Sequence, residues 1–142
     1  MFNLFISEEI RTPLTMFRAT GPSVASSGET LIFSSVLDNF SDGYNADTGR
    51  FTAPSKGLYI FSLSLCTVGN VDARFGIETD GSFSAAKRLI DQDRDSCGTI
   101  VSPILLTKGQ QVHAECVQSC DVTSGYGTNT NLFAGSLIHY LK

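Results

Sequence analysis

From Leu58 to Leu65 the chain reads Leu-Tyr-Ile-Phe-Ser-Leu-Ser-Leu, and Tyr59, Phe61, Leu63 and Leu65 are apolar while the alternate positions turn polar. A period of two puts these residues on one face of a strand, making that face core and the other half-buried. Similar short runs recur along the chain between turn-forming residues. They predict strands near Met16–Ala19, Leu31–Leu37, Arg50–Thr52, Leu58–Cys66, Ala73–Thr79, Phe83–Ile90, Thr99–Leu106, Gln111–Val117 and Leu132–Leu141. Asp80–Gly81 is a strong hairpin signal, because both central residues of a type I′ turn need positive φ. Lys108–Gly109 joins the next pair, and the polar Asn45–Gly49 segment reads as a surface loop. No helical periodicity persists long enough for a helix.

The run Leu132-Phe133-Ala134-Gly135-Ser136-Leu137-Ile138-His139-Tyr140 is apolar on both faces. A strand of that kind in an antiparallel sandwich needs a second cover. Either another copy of the chain supplies it, or a long loop or the N-terminal segment does. The number and spacing of strands suit a jelly roll or an immunoglobulin-like sandwich. The latter needs a core Trp, and the chain has none. The expected class is therefore all-β, a two-sheet antiparallel jelly roll.

Composition narrows the function. A chain of 142 residues is one domain, large enough to hold a core without a metal or staple. Hydrophobic residues make up 42% and charged residues 17%, and thirteen Gly and ten Phe fit a β protein. A formal charge of −4 with scattered basic residues disfavours nucleic acid as a partner, since no basic stripe exists to neutralise phosphates. No apolar run approaches the ~20 residues of a membrane span. The segment Met1–Ile6 lacks the length of a secretory signal, so either a signal has been removed or the chain is not secreted. Four cysteines allow three pairings. His113, Cys116 and Cys120 form a partial zinc set without a fourth ligand; disulfides are the better reading and favour an oxidising compartment. No nucleophile elbow, phosphate loop or His-Glu-x-x-His occurs. His113 and His139 lie within strand patterns, with Glu115 the one obvious acid nearby, and the chain is not expected to be an enzyme.

One spacing is specific. Phe33, Asn39, Tyr44, Phe51, Gly57, Tyr59 and Phe61 stand at the offsets of the complement C1q globular-head family, a tumour-necrosis-factor-like jelly roll. Asn45–Phe51 resembles that family's loop before its next strand. Lys108-Gly109-Gln110-Gln111-Val112 resembles its turn, and Phe133-Ala134-Gly135 with Leu137 its closing strand. Leu63 departs from the aromatic usual there, and His113 stands where the family often has Trp. The resemblance covers residues 16 to 141, leaving 1–15 as a tail, linker remnant or extra strand. No Gly-X-Y stalk precedes the domain, so the resemblance implies a head without a stem.

The resemblance implies a secreted homotrimer whose aromatic strand faces pack around a three-fold axis. It implies that the ends of two antiparallel strands bring Cys66 to Cys97, leaving Cys116 and Cys120 to pair locally. It also suggests calcium as the cofactor, held near the trimer apex. Asp91, Asp93 and Asp95 alternate in a polar loop, and Ca²⁺ takes six to eight oxygens, of which this spacing supplies two or three. The alternative is a solvated acidic loop with Arg94 as internal counter-charge. The long segment Asp121–Asn131 offers Tyr126 between two glycines with Asn129 nearby, an aromatic face beside hydrogen-bonding groups that suits a sugar. Arg74, Lys87, Arg88 and Arg94 are candidates to meet anionic sugars or lipid phosphates. Asn39-Phe40-Ser41 is a glycosylation sequon within the ordered signature. The resulting expectation is a secreted trimeric module that binds carbohydrate or microbial surface groups in innate immunity. A receptor-binding signalling ligand and a structural trimerisation module are the alternatives.

Overall fold

The computed structural model describes residues 11–123, 127 and 129–142. Ten strands run in the order β1 (Met16–Pro22), β2 (Phe33–Phe40), β3 (Tyr44–Asn45), β4 (Arg50–Thr52), β5 (Gly57–Thr67), β6 (Val71–Thr79), β7 (Ser82–Asp91), β8 (Ser96–Leu106), β9 (Gln111–Gln118) and β10 (Leu132–Tyr140). They form two five-stranded sheets, β2-β1-β10-β5-β8 and β3-β4-β9-β6-β7. Asp80 and Gly81 take φ of 50° and 79°, and Gly109 takes 93°, as the hairpin signals require.

Several boundaries differ from the sequence reading; β1 runs on to Pro22 and β6 begins at Val71, and three differences bear on packing. The second strand begins at Phe33 rather than Leu31 and runs on to Phe40; Leu31 stays in the core, its N–H donating to the Ala114 carbonyl at 2.8 Å. The eighth begins at Ser96 rather than Thr99, because Cys97 stands in register with Cys66. Tyr44–Asn45 is a short strand paired with Arg50–Phe51, so the polar Asn45–Gly49 segment is a tight hairpin, closed by Gly49 N–H to the Asn45 carbonyl at 2.8 Å.

The aromatic signature is an interior. Phe17, Phe33, Tyr44, Phe51, Tyr59, Phe61 and Phe133 are each 4% exposed or less. Phe17 stacks on Tyr44 at 4.6 Å, lies 5.2 Å from Phe51 and meets Phe133 edge-on at 5.1 Å. The expectation that aromatic faces gather about a three-fold axis is therefore corrected: these rings fill the space between the two sheets of one chain. Strand alternation sends Tyr59, Phe61 and Leu63 inward together. The outward face of the first sheet is left with aliphatics, of which Val101 and Leu105 are exposed.

Two signature glycines mark close approaches. A Cβ on Gly135 would lie 2.6 Å from the Phe61 ring and 2.8 Å from Phe17, and one on Gly57 would lie 2.5 Å from the His139 carbonyl oxygen. The closing strand β10 is central in its sheet. Phe133, Gly135 and Leu137 face inward, while Leu132, Ala134 and Ser136 are half-buried on the other side. Leu137 N–H donates to the Thr15 carbonyl at 2.9 Å, so the N-terminal segment continues the ladder beside β10.

Asn39 and Tyr44 explain the remaining pair of the signature. The Asn39 amide donates to the Tyr44 carbonyl at 2.8 Å and accepts from the Tyr44 N–H at 3.1 Å. This clamp closes a turn in which Ser41 and Asp42 have positive φ, and it occupies the sequon's amide nitrogen. The Tyr44 hydroxyl donates to the Phe33 carbonyl at 2.7 Å and accepts from the Phe33 N–H at 3.2 Å. Burial pushes Tyr44 up from 10.0 to about 12, partly opposed by the hydrogen bond with the Phe33 backbone. The native state keeps this proton at a pH where the unfolded chain has lost it. The stabilisation is full below pH 10 and falls as pH rises to 12, by about 2–3 kcal/mol at ~1.4 kcal/mol per unit. Urea midpoints measured from pH 8 to 12 are expected to drop over that window, and to drop less in Tyr44→Phe; an equal drop in both would assign the alkaline loss elsewhere.

Candidate functional site

Several connections meet at one end of the sandwich. The Cys66–Cys97 disulfide joins β5 to β8 there, and both cysteines are in register across the ladder. Asn70 N–H donates to the Asp91 carbonyl at 2.7 Å, Val68 N–H to the Asp121 carbonyl at 2.9 Å and Thr123 N–H to the Cys66 carbonyl at 2.8 Å. These bonds tie the β5–β6 turn to the acidic loop and to the 119–131 connection. Asn131, 6% exposed, fastens the same region: its Oδ1 accepts from the Cys66 N–H at 2.7 Å and its amide donates to the Thr123 carbonyl at 2.9 Å. The sequence reading did not single it out. A polar residue just before the closing strand was the available signal.

The acidic loop uses two of its carboxylates on backbone. Asp91 Oδ1 accepts from the N–H groups of Asp93 and Arg94 at 3.0 and 3.2 Å, and Asp95 Oδ1 accepts from Gly69 at 2.9 Å. A Cβ on Gly69 would lie within 2.9 Å of the Arg94 backbone, so the loop lies directly on that turn. Asp91, Asp93 and Asp95 do not converge on a common point within one chain. Asn129, with φ of 61°, borders a groove of about 440 Å³ between residues 20–24 on one side and 120–122, 127 and 129–131 on the other. Its walls include Ser23, Val24, Asp121, Thr130 and Asn131. Tyr126 lies outside the described residues. Arg94 is in the acidic loop and does not line this groove.

A different cluster sits on the outward face of the second sheet. Arg50, His113 and Glu78 stand side by side across β4, β9 and β6, and Glu115 follows His113 on the same side of β9. His113 Nε2 is 3.2 Å from Glu115 Oε1 and 4.0 Å from Glu78 Oε2. Its Nδ1 is 3.2 Å from Arg50 Nη1. His113 is 3% exposed although it faces away from the core, because these three side chains cover it. Burial pulls the His113 imidazole down, with Arg50 adding and Glu115 opposing. Burial also pushes the Glu78 carboxyl up, and its neighbour Glu115 reinforces this. The partial zinc set read from the sequence does not form. Cys116 and Cys120 are joined as a disulfide, and Cys116 points into the core, as alternation demands of a residue three positions from an outward His113.

The family model described as C1q domain matches residues 14–138. The chain belongs to the C1q domain family. Its fold is similar to that of the globular domain of zebrafish complement 1qA, with a TM-score of 0.68 and 19% identity over 92% of this chain and all of that one. It is also similar to the Eiger tumour necrosis factor of S. frugiperda, with a TM-score of 0.67 and 9% identity over 92% of this chain and 96% of that one. At these identities the two structures establish a shared fold. Among curated proteins, the heavy metal-binding protein HIP of Mytilus edulis is 46% identical over 35 residues, 25% of this chain and 16% of that protein. The chain thus matches about a sixth of that relative's length. C1q domains are in general recognition modules rather than enzymes. No helix among the described residues is long and apolar enough to cross a membrane.

Proposed function

We propose that the protein is a secreted, trimeric recognition head that binds carbohydrate or other microbial surface groups in innate defence. The observation that carries this reading is the groove beside Asn129, where hydroxyl, amide and carboxylate groups line a concave surface of about 440 Å³ at one pole. Such a site offers the convergent hydrogen bonds that a polyhydroxylated ligand needs. Tyr126, from the same connection, is proposed to supply an aromatic face, and Arg94 a cationic contact from the neighbouring loop. Assembly is supported by the outward face of the first sheet, where Val101 and Leu105 are 60% and 69% exposed beside half-buried Leu58 and Ile60. Three identical grooves on one particle raise avidity for a repetitive surface without any new contact.

Calcium at Asp91, Asp93 and Asp95 belongs to this proposal as a property of the trimer, since two of those carboxylates are engaged locally within each chain. Binding of a heavier metal enters through the name of the mussel relative and the histidine cluster on the second sheet. Light scattering is expected to give about three times the 15.3 kDa chain mass. A glycan array is expected to show binding that Asn129→Ala weakens several-fold and that a chelator reduces. A particle of single-chain mass, or an array without any binding, would overturn the reading and leave receptor pull-down as the next assay.

A further inference from the structure

We propose that Glu78, His113 and Glu115 form a site for a divalent transition metal of the zinc type, and that Arg50 is an internal cation displaced when the metal binds. The site is separate from the polar groove, so it stands or falls independently of carbohydrate recognition.

Geometry is the first support. One ligand atom from each of the three residues can be chosen so that all lie within 4.8 Å of one another. Metal–ligand bonds of about 2.0–2.2 Å in a tetrahedron set neighbouring ligand atoms about 3.3–3.6 Å apart. The separations of 3.2 and 4.0 Å from His113 Nε2 bracket that spacing, so small side-chain rotations complete three corners and water the fourth. The donor set gives the metal class. One imidazole with two carboxylates suits zinc and its neighbours, whereas Ca²⁺ asks for six to eight oxygens.

Placement is the second support. All three ligands and Arg50 rise from paired strands, so the ladder and not a loop holds them. The Phe83 ring lies over Gly76, where an added Cβ would come within 2.6 Å of it, and Gly76 is the register partner of Glu115. Phe83 is itself 43% exposed, so it shields one edge of the cluster from water and leaves the rest open. Two carboxylates flank a nearly buried imidazole, and the side chains of Glu78 and Glu115 are only 16% and 18% exposed. In their ionised forms they carry two negative charges against the single charge of Arg50.

Arg50 sets the exchange chemistry. Guanidinium has only donors, so its contact with His113 requires Nδ1 to accept, which places the ring proton on Nε2 facing Glu115. A metal needs the Nε2 lone pair. On loading, the ring proton must therefore pass to Nδ1 through solvent, and the Arg50 N–H must turn away from it. No proton is gained or lost by the imidazole in this step. Arg50 thus competes with the metal for the same charge cluster.

The test is titration of the disulfide-intact protein with Zn²⁺ by calorimetry, and with Co²⁺ by its visible absorption, which distinguishes tetrahedral coordination. One ion per chain is expected, with Ca²⁺ failing to displace it. Glu78→Gln and Glu115→Gln are each expected to weaken Zn²⁺ at least tenfold, and Arg50→Ala to tighten it severalfold. Circular dichroism melts check that each variant folds; the Glu→Gln pair keeps shape and hydrogen-bonding capacity, whereas His113→Ala would remove a buried ring. Absence of Zn²⁺ binding in the parent protein would overturn the proposal. So would unchanged affinity in both Gln variants, which would put the ion elsewhere, or weaker binding in Arg50→Ala.

Discussion

Phe17→Ala is expected to lower the free energy of unfolding by about 3–5 kcal/mol, the usual range for deleting a fully buried Phe. The ring is the hub of the interior: it contacts Tyr44, Phe51, Phe61 and Phe133, which come from strands of both sheets. Removing it leaves a cavity that the neighbouring rings cannot close, because each is held in a strand by its ladder. Part of the loss is aromatic geometry worth about 0.5–1.5 kcal/mol per pair beyond area. Phe17→Leu should therefore recover roughly half of the deficit, keeping apolar volume but not stacking. Arg18, next in the chain, is half-exposed and, among the described residues, pairs with Asp38. Arg18→Ala is expected to change stability by less than about 1 kcal/mol. Urea denaturation of the three variants at pH 7 gives the ranking. A Phe17→Ala loss no larger than that of Arg18→Ala would mean that the two sheets are not held together through this ring.

Replacing Cys66 and Cys97 by Ala is expected to cost about 3–4 kcal/mol, while replacing Cys116 and Cys120 costs about 2 kcal/mol or less. The two bridges differ in sequence separation, 31 against 4, and so in the loop entropy each removes from the unfolded chain. The longer bridge also anchors the pole at which the β5–β6 turn, the acidic loop and the 119–131 connection meet, so its loss should loosen the proposed binding groove as well. Ligand binding by the Cys66/Cys97 variant, measured well below its melting temperature, should fall even where the fold persists. Peptide mapping without reductant gives a separate check. Recovery of Cys66 joined to Cys116 or Cys120 would sink both statements.

Much of this fold was legible because its core is written with period two. Tyr59, Phe61 and Leu63 had to share a face once they lay in a strand, and Asp80–Gly81 had to turn. The spacing of Phe33, Asn39, Tyr44 and Phe51 pointed to the family that the match over residues 14–138 establishes. The offsets alone did not say what each residue does. Asn39 serves as a backbone clamp, Tyr44 as a buried bridge to Phe33, and Gly135 as the space into which two rings fit. Phe17 was read as one residue of a short strand, because nothing in its neighbours along the chain shows that it touches four other rings.

The outer-face cluster divides the same way. His113 and Glu115 are two apart in a strand pattern, so a common side for both was available from local alternation. Arg50 and Glu78 lie 63 and 35 residues from His113 along the chain, and only the pairing of β4, β9 and β6 sets them beside it. Side-chain direction follows from neighbouring residues, whereas register between distant strands follows from how the whole core closes. By itself the amino-acid order determined an all-β domain with an aromatic interior. Tertiary structure decided which charges face one another, because strand register sets distances that no local spacing encodes.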